Sequence, residues 1–244
     1  AVATRAPGLH LTVFQPSANL HWPGNLKKYS LKADGTIVDA NDRPAVDTST
    51  GFFANNAQSF WSEAVDGARV ELGGAGHKLP LPADRNVYTD LAALSATKPA
   101  NLYGVTNNGV TTSNTLLVDT VLGLPSGSSD VSDLIQWVRG GNVDGGAPDE
   151  ARYTMGDPLH ARPVSVIYGG SVGSPSINDA VVFSTTNDGY LHAIHPNGMS
   201  GVDAGGELWT YVPSELLPRM AALRDNAPSV DKGFGLDGNV VAYK

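Results

Sequence analysis

The chain has 244 residues, which is enough for a large core in one or two domains. Its 16 basic and 24 acidic residues give a net charge of −8, and without a basic patch to follow a phosphate backbone, nucleic acid is excluded as an expected partner. The absence of cysteine excludes disulfides, iron–sulfur clusters and thiolate zinc sites, and the sequence lacks the run of about 18 apolar residues that would predict a membrane span.

Glycine and proline are frequent, with 28 and 16 residues, and this favours many short strands joined by turns. Three turns of the Asx-Gly type lie between runs rich in Val, Ile, Tyr and Thr. They are Asp34-Gly35, Asn107-Asn108-Gly109 and Asn187-Asp188-Gly189. Because Asx-Gly pairs supply the positive φ angles that tight hairpins need, each turn predicts a β-hairpin, and the fold class is predicted to be mainly β.

One amphipathic helix is predicted between the second and third of these turns. The apolar residues of the run 131–138 fall at i, i+3, i+4 and i+7, so they share one face. Asp130, or the serine before it, can cap the start, and Gly140-Gly141 can end the helix. Two shorter helical turns are predicted at residues 90–94 and 215–223.

Residues 160–213 predict one regular blade of a β-propeller. Four strand-like runs follow one another there, VSVIYG, DAVVFST, YLHAI and ELWTYV, with polar turns between them. Such a unit of four short antiparallel strands is typical of a propeller blade. A Gly/Asp-rich loop at 140–150 would separate an irregular N-terminal part from this blade, and residues 1–244 are interpreted as part of one partial propeller domain.

Five longer motifs can be compared with known families. They are His21 to Tyr29 (HWPGNLKKY), Met155 to Pro163 (MGDPLHARP), Thr186 to Ala193 (TNDGYLHA), Gly206 to Trp209 (GELW) and Phe234 to Gly238 (FGLDG). In this order they resemble the C-terminal β-propeller domain of the PilC/PilY-type type IV pilus biogenesis factors, which are pilus-tip adhesins. Shorter similarities, among them RNVYT at 85–89 and WVRG at 137–140, lie between them. In the second motif only Ala161 departs from the family pattern.

The resemblance implies a non-enzymatic role in Gram-negative bacteria. It implies a protein that supports type IV pilus extension against retraction, with twitching motility and surface adhesion as linked roles. It also implies an extracytoplasmic location, at the outer-membrane surface or pilus tip after passage through the periplasm. The expected partners are minor or major pilins, a host or abiotic surface, and the remaining part of the propeller.

Calcium is implied by the family, but no calcium ligand can be assigned in this chain. A loop of the EF type would show alternating Asp or Asn residues, then Gly, and a Glu at position 12. The segments 39–42 and 142–146 contain only fragments of that pattern. The metal ligands are therefore left unassigned.

Two alternative functions are kept open. The run from Asn187 to Trp209 also resembles the repeat of pyrroloquinoline-quinone dehydrogenases, although only one good copy is present and the vicinal cysteine pair common in those enzymes is absent. A carbohydrate-binding propeller module is the second alternative. The four tryptophans, Trp22, Trp61, Trp137 and Trp209, are nevertheless interpreted mainly as blade and helix core.

Seven residues are predicted to have structural roles, and no catalytic residue is predicted. Asp157, His160 and Arg162 are expected to form a largely buried hydrogen-bonded network, since unpaired polar groups in such a segment would each cost about 1–3 kcal/mol. Further along the chain, Asn187, Asp188 and Gly189 are expected to form the blade turn, and Trp209 to dock neighbouring blades.

Three other patterns fail the structural context that their chemistry requires. The sequence Gly169 to Gly173 matches the nucleophile-elbow motif, but a strand rather than a helix is predicted to follow Ser171. His192 and His195 are three residues apart on a predicted strand, so they should face opposite sides rather than bind one metal. The glycine-rich segment 71–78 lacks the Ser or Thr and the helix of a phosphate-binding loop, and is interpreted as a loop near a blade edge.

The chain is expected to be a fragment of a propeller. Blades take about 40–50 residues each, so a seven-bladed ring needs roughly 300 or more. The run from Asn239 to Tyr243 also looks like the opening strand of a further blade.

Overall fold

The computed structural model describes residues 8–91, 108–171, 173–229 and 231–242. Within them the fold is mainly β, as the composition and turn pattern predicted. The strands form a three-stranded sheet, a five-stranded sheet and a two-stranded hairpin, and none of these sheets is closed.

The first sheet contains the predicted hairpin at Asp34-Gly35. Strand β1 (Leu9–Phe14) pairs antiparallel with β2 (Gly24–Leu31), and β2 pairs antiparallel with β3 (Ile37–Val38). The turn between β2 and β3 holds Gly35 at a φ of 88°, which explains the glycine there. This hairpin is confirmed, whereas β1 was not predicted.

The hairpin predicted at the second Asx-Gly turn, Asn107-Asn108-Gly109, is not found in the described part of this segment. A short strand, β4 (Val87–Tyr88), precedes it, but Asn107 and residues 92–94 of the predicted helical turn lie outside the described residues. Residues 110–118 form turns instead of the predicted strand. The Asn114 side chain explains this, because it donates to the Gly109 carbonyl at 2.8 Å and accepts from the Leu116 amide at 3.0 Å.

The predicted amphipathic helix is confirmed as α1 (Val131–Val138). Its first helical hydrogen bond runs from the Leu134 amide to the Asp130 carbonyl at 2.9 Å. Leu134, Ile135 and Val138 are buried in the largest apolar cluster of the described residues. Where the loop 140–150 was predicted, β5 (Gly141–Asn142) and β6 (Ala147–Ala151) form a short antiparallel hairpin.

The predicted four-stranded unit is present. Its strands are β7 (Val164–Ser171), β8 (Ser174–Thr185), β9 (Leu191–Ile194) and β10 (Glu207–Tyr211). They pair antiparallel in chain order, and β4 adds a fifth strand parallel to β10. The turn between β8 and β9 is Asn187-Asp188-Gly189, so the third predicted hairpin is confirmed.

The chain leaves this sheet through a helical segment, as predicted for residues 215–223. A 3-10 helix spans Ser214–Arg219 and leads directly into α2 (Met220–Asp225). Pro218 lies inside the 3-10 segment. Leu217 and Met220 pack into the same apolar cluster as α1.

The two faces of the five-stranded sheet differ. On one face, Val182 and Ile194 are fully buried and pack against Leu26, Trp61 and Met155. The other face is also apolar, but most of its large side chains are only half-buried. These half-buried side chains are Val164, Val166, Val181, Leu191, Trp209 and Tyr211.

Candidate functional site: a buried polar network at the 186–189 turn

The turn between β8 and β9 is polar yet almost completely buried. Asn187 and Asp188 expose only 2% and 4% of their surface. Thr186 closes the turn by donating its amide to the Tyr190 carbonyl at 2.9 Å, and the Gly189 amide donates to the Thr186 carbonyl at 3.0 Å. Buried polar groups of this kind need hydrogen-bond partners. Seven side chains around the turn are called the turn network here: Arg85, Asp157, Thr186, Asn187, Asp188, His192 and Glu207. Their side-chain hydrogen bonds form two groups, Asp157 with Asn187 and the other five together, and the backbone of the turn joins the two groups.

Arg85 and Glu207 form the charged centre of the turn network. Arg85 precedes β4, Glu207 begins β10, and the two side chains make two hydrogen bonds of 2.7 and 3.1 Å in full burial. His192 Nδ1 lies 2.7 Å from Glu207 Oε2, the oxygen that also accepts from Arg85 Nη2. Burial alone would raise the pKa of Glu207, but the Arg85 charge and the His192 hydrogen bond outweigh it and hold that pKa at about 2.

Asp188 continues the network toward β2. Its carboxylate accepts a hydrogen bond from the Thr186 hydroxyl and lies 3.4 Å from His21 Nε2. Burial alone would raise the pKa of Asp188, but His21, together with His192 and the Thr186 hydroxyl, outweighs it and leaves that pKa below its usual value. Gly156 packs directly on this carboxylate, and a Cβ at Gly156 would overlap it. The glycine of the MGDPLHARP motif is therefore required by close contact with the TNDGYLHA motif.

Asp157 joins the network from the other side of the turn. Its side chain accepts from Asn187 Nδ2 at 2.8 Å, and its carbonyl accepts from the Asn187 amide at 2.8 Å. Lys232 Nζ pairs with the second carboxylate oxygen at 2.7 Å and lies 4.1 Å from the centre of the Trp22 ring. The buried Asp157 charge is thus fully paired, as burial of a carboxylate requires.

The predicted network of Asp157, His160 and Arg162 is wrong as a unit. Only Asp157 is buried, whereas the His160 side chain is 67% exposed and Arg162 is also exposed. His160 Nδ1 instead contacts Asp237 at 2.5 Å, and the Arg162 amide donates to the Asn239 side chain at 2.9 Å. Pro158 and Ala161 stay buried while the side chains of His160 and Arg162 face solvent, so the three side chains do not converge.

The predicted turn residues and Trp209 lie where the sequence placed them, but they differ in role. Asn187 and Asp188 are members of the turn network, and Gly189 has a φ of 97°, which favours glycine. Trp209 is half-buried on the opposite face of the sheet, where its ring lies 5.8 Å from that of Phe183. Its predicted docking of another blade stays a prediction.

The motif segments meet in space although they are far apart in the sequence. The Gly24 amide of the first motif donates to the Met155 carbonyl of the second at 3.0 Å. The second motif contacts the TNDGYLHA turn through Asp157 and Asn187, as described above. Glu207 of the GELW motif pairs with His192, and Asp237 of the last motif accepts from Asn187 Nδ2 at 3.0 Å. All five motifs therefore contribute to one continuous polar contact region.

Thr186, His192 and Glu207 follow each other in the order hydroxyl, imidazole, carboxylate. This order occurs in nucleophilic active sites. Here the Thr186 oxygen lies 3.4 Å from His192 Nε2, and the hydroxyl already donates to Asp188. Thr186 and His192 are both 0% exposed, so a substrate in solvent does not contact them. In this arrangement the three groups bind each other and hold the turn to β10.

The structure also shows where the three motifs rejected in the sequence analysis lie. Ser171 ends β7 and pairs with Ser174 at the start of β8, so Ser171 lies in an antiparallel hairpin rather than at a strand-to-helix turn. His192 belongs to the turn network. His195 is also buried, but its neighbours are different and include Asp179 and Asn178. Segment 71–78 contains a 3-10 helix at Ala75–His77 and borders an open cleft of about 210 Å³.

The tryptophans do not present a free ring face at this cleft. Trp61 lines it but is 3% exposed, with His10 stacked at 5.4 Å on its ring and the Gly205 backbone close against it. Trp137 is buried beneath Arg152, whose guanidinium lies 3.9 Å from the ring centre. Trp22 packs under Lys232. These contacts agree with the interpretation of Trp61 and Trp137 as core residues, whereas Trp22 is half-buried and lies outside the apolar clusters.

Sequence reasoning missed most partners of the turn network. Arg85, Glu207, His21, Lys232 and Asp237 were not singled out for it, since they lie between 15 and 167 residues from the groups they contact. A signal was present for Glu207, because a charged residue opening an otherwise apolar strand must find a partner when it is buried.

Comparison of the chain with known protein families, with curated proteins and with solved structures finds no match. Within the described ranges, no three His, Cys, Asp or Glu side chains gather as ligands of a metal ion would. No helix in the described part of the chain has the length and apolar character needed to cross a bilayer.

Replacing Gly156 with Ala is expected to destabilise the fold by about 1–3 kcal/mol, as overpacking of a tight contact does. The new methyl group would overlap the Asp188 carboxylate, which is itself fixed by Thr186 and His21. Chemical denaturation followed by tryptophan fluorescence measures this. Gly173→Ala is the matched control, because a Cβ there meets nothing within 4 Å. Equal stabilities of the two variants would contradict the close contact between the motifs.

Proposed function

We propose that this chain is part of the β-propeller domain of a type IV pilus biogenesis factor of the PilC/PilY type. Its role would be non-enzymatic, supporting pilus extension, twitching motility and surface adhesion. The observation that carries the proposal is the convergence of the five family-like motifs on the turn network. If the five motifs form one structural unit in that family, they should contact each other in the folded chain, and here they do.

The five-stranded sheet supports the propeller part of the proposal. Strands β7 to β10 pair antiparallel in chain order, which is the arrangement of a propeller blade. Blades of a propeller pack face to face, so both faces of an inner blade are apolar. The half-buried face with Val164, Val181, Leu191 and Trp209 has this character. The parallel strand β4 on the edge of β10 is a departure from a simple four-stranded blade.

The pairing inside the turn network supports a structural rather than a chemical role. Glu207 is shared by Arg85 and His192, and Asp157 is shared by Asn187 and Lys232. Buried carboxylates that are each held by two partners are suited to fixing neighbouring segments. The partners and location follow from the resemblance alone: pilins and a surface as partners, and the outer-membrane surface or pilus tip as location. Calcium likewise belongs to the family, with no ligand assigned here.

The proposal is tested by deleting the gene in its own bacterium and scoring surface pili and twitching motility. Loss of both is expected, together with restored surface pili when pilus retraction is also disabled, because the protein would then be needed only to oppose retraction. Complementation with the wild-type gene is the control. Unchanged piliation and motility in the deletion strain would contradict the proposal. Alcohol oxidation that depends on added quinone and calcium would favour the dehydrogenase alternative instead.

A further inference from the structure

Asparagine followed by glycine occurs twice in the chain, at Asn108-Gly109 and at Asn197-Gly198. A glycine in the second position has no side chain to shield its backbone nitrogen from the asparagine before it. The two asparagines differ in exposure, because Asn108 is completely buried whereas Asn197 is exposed. Asn197 lies in the loop between β9 and β10, where water reaches its side chain.

The Asn197 side chain bridges two sheets. Its Oδ1 accepts a hydrogen bond from Lys28 Nζ on β2 at 3.1 Å, and its Nδ2 donates to the Ile177 carbonyl on β8 at 2.9 Å. Lys28 Nζ also donates to the Pro196 carbonyl at 3.0 Å, which holds the ammonium group beside the loop. The carbonyl end of the Asn197 amide therefore faces a cation, and its amino end faces a hydrogen-bond acceptor.

The backbone nitrogen of Gly198 is the nucleophile that the chain itself offers to this amide. Among the described residues, no group accepts a hydrogen bond from the Gly198 N–H. Attack of that nitrogen on the side-chain carbonyl carbon of Asn197 closes a succinimide ring and places negative charge on Oδ1. Lys28 Nζ already binds Oδ1, and a cation held in advance at a developing oxyanion stabilises the transition state.

We propose that Asn197 is a site of self-modification, at which the folded chain converts this asparagine to aspartate or isoaspartate while Lys28 stabilises the oxyanion. The Gly198 nitrogen gives its proton to solvent and bonds to Cγ of Asn197. The bond between Cγ and Nδ2 breaks, and the nitrogen takes a proton from solvent and leaves as ammonia. Water then opens the succinimide ring, so the net change is one water taken up and one ammonia released. The inference does not depend on the pilus role.

The modification changes the contact between the two sheets. A carboxylate at position 197 keeps the Lys28 ammonium as a partner, but it has no N–H to donate to the Ile177 carbonyl. The link to β8 is therefore lost while the link to β2 remains. Isoaspartate also adds one methylene group to the backbone of the loop between β9 and β10.

Incubation of the folded protein at mildly alkaline pH, followed by peptide mass spectrometry, tests the proposal. The peptide that contains Asn197 is expected to show the small mass increase of an amide replaced by an acid, while the peptide that contains Asn108 stays unchanged. The same incubation in urea is the control, because both asparagines should react there at similar rates once the fold is lost. An Asn197 as unreactive as Asn108 in the folded protein would overturn the proposal.

Lys28→Met and Lys28→Arg test the part assigned to the lysine. Lys28→Met is expected to slow the reaction at Asn197 by at least about threefold, whereas Lys28→Arg, which can still donate to Oδ1, stays within about twofold of wild type. In urea all three proteins should react at the same rate, so a difference in the folded state comes from the contact. An equal or faster reaction in folded Lys28→Met would overturn the role of Lys28, since the contact would then only restrain the side chain.

Discussion

Replacing Glu207 with Gln is expected to lower the free energy of unfolding by about 3–5 kcal/mol, the range for breaking a buried ion pair by removing one partner. The change leaves the Arg85 guanidinium buried without a counter-charge, and it removes the carboxylate on which His192 Nδ1 rests at 2.7 Å. Urea unfolding followed by tryptophan fluorescence gives the difference. Glu150→Gln is the matched control, because Glu150 is exposed on β6 and should change stability by less than about 0.5 kcal/mol.

The Arg85–Glu207 pair also makes the free energy of unfolding depend on pH. Glu207 has a folded pKa of about 2, below its ordinary value of 4.5, so its contribution to stability is fully present above 4.5 and is lost as the pH falls through about 2. The stability of the wild type should therefore approach that of Glu207→Gln at acid pH. A constant difference between the two proteins from pH 7 to pH 2 would contradict the assignment of the charge to Glu207.

Replacing Lys27 with Met is expected to cost about 3 kcal/mol, near the lower end of the range for a broken buried ion pair. Lys27 Nζ lies 2.9 Å from Asp66 Oδ2, and both side chains are almost fully buried. Asp66 would still accept hydrogen bonds from Ser59 and Ser62, which limits the loss. The Lys27–Asp66 pair connects β2, which contains part of the first family-like motif, with the segment 57–74.

Lys32→Met is the control for that experiment. Lys32 follows β2 directly, but its ion pair with Asp42 is exposed at both ends, so its loss should change stability by less than about 1 kcal/mol. A Lys27→Met variant as stable as Lys32→Met would show that the buried pair does not hold the first sheet in place.

The parts of the fold that could be predicted from the sequence are those with local causes. Asp34-Gly35 and Asn187-Asp188-Gly189 specify hairpins through their own backbone preferences, and the apolar spacing of 131–138 specifies α1. The pairing of β4 with β10 could not be found in this way, because the two strands are more than a hundred residues apart and each is short. The turns at 110–118 were missed because the Asn114 side chain competes with strand pairing.

The sequence identified residues of the candidate site that lie inside its recognisable motifs, but it did not identify their distant partners. Asp157 and the turn residues Asn187 and Asp188 were singled out and are members of the turn network. The grouping of Asp157 with His160 and Arg162 failed because proximity in sequence was taken for proximity in space. The true partner of Asp157 is Lys232, 75 residues later, and that of Glu207 is Arg85, 122 residues earlier. Such pairs are decided by tertiary packing.

We propose that the turn network acts through the stability of the fold and not through chemistry. The most direct test measures unfolding free energy and surface pili in parallel for Thr186→Val, its hydroxyl-retaining partner Thr186→Ser, and the core variant Leu134→Ala. We expect piliation to follow stability alone, so that variants of equal stability carry equal numbers of pili wherever the substitution lies. Loss of pili in Thr186→Val at wild-type stability, with rescue by Thr186→Ser, would contradict the account and assign a chemical role to the Thr186 hydroxyl.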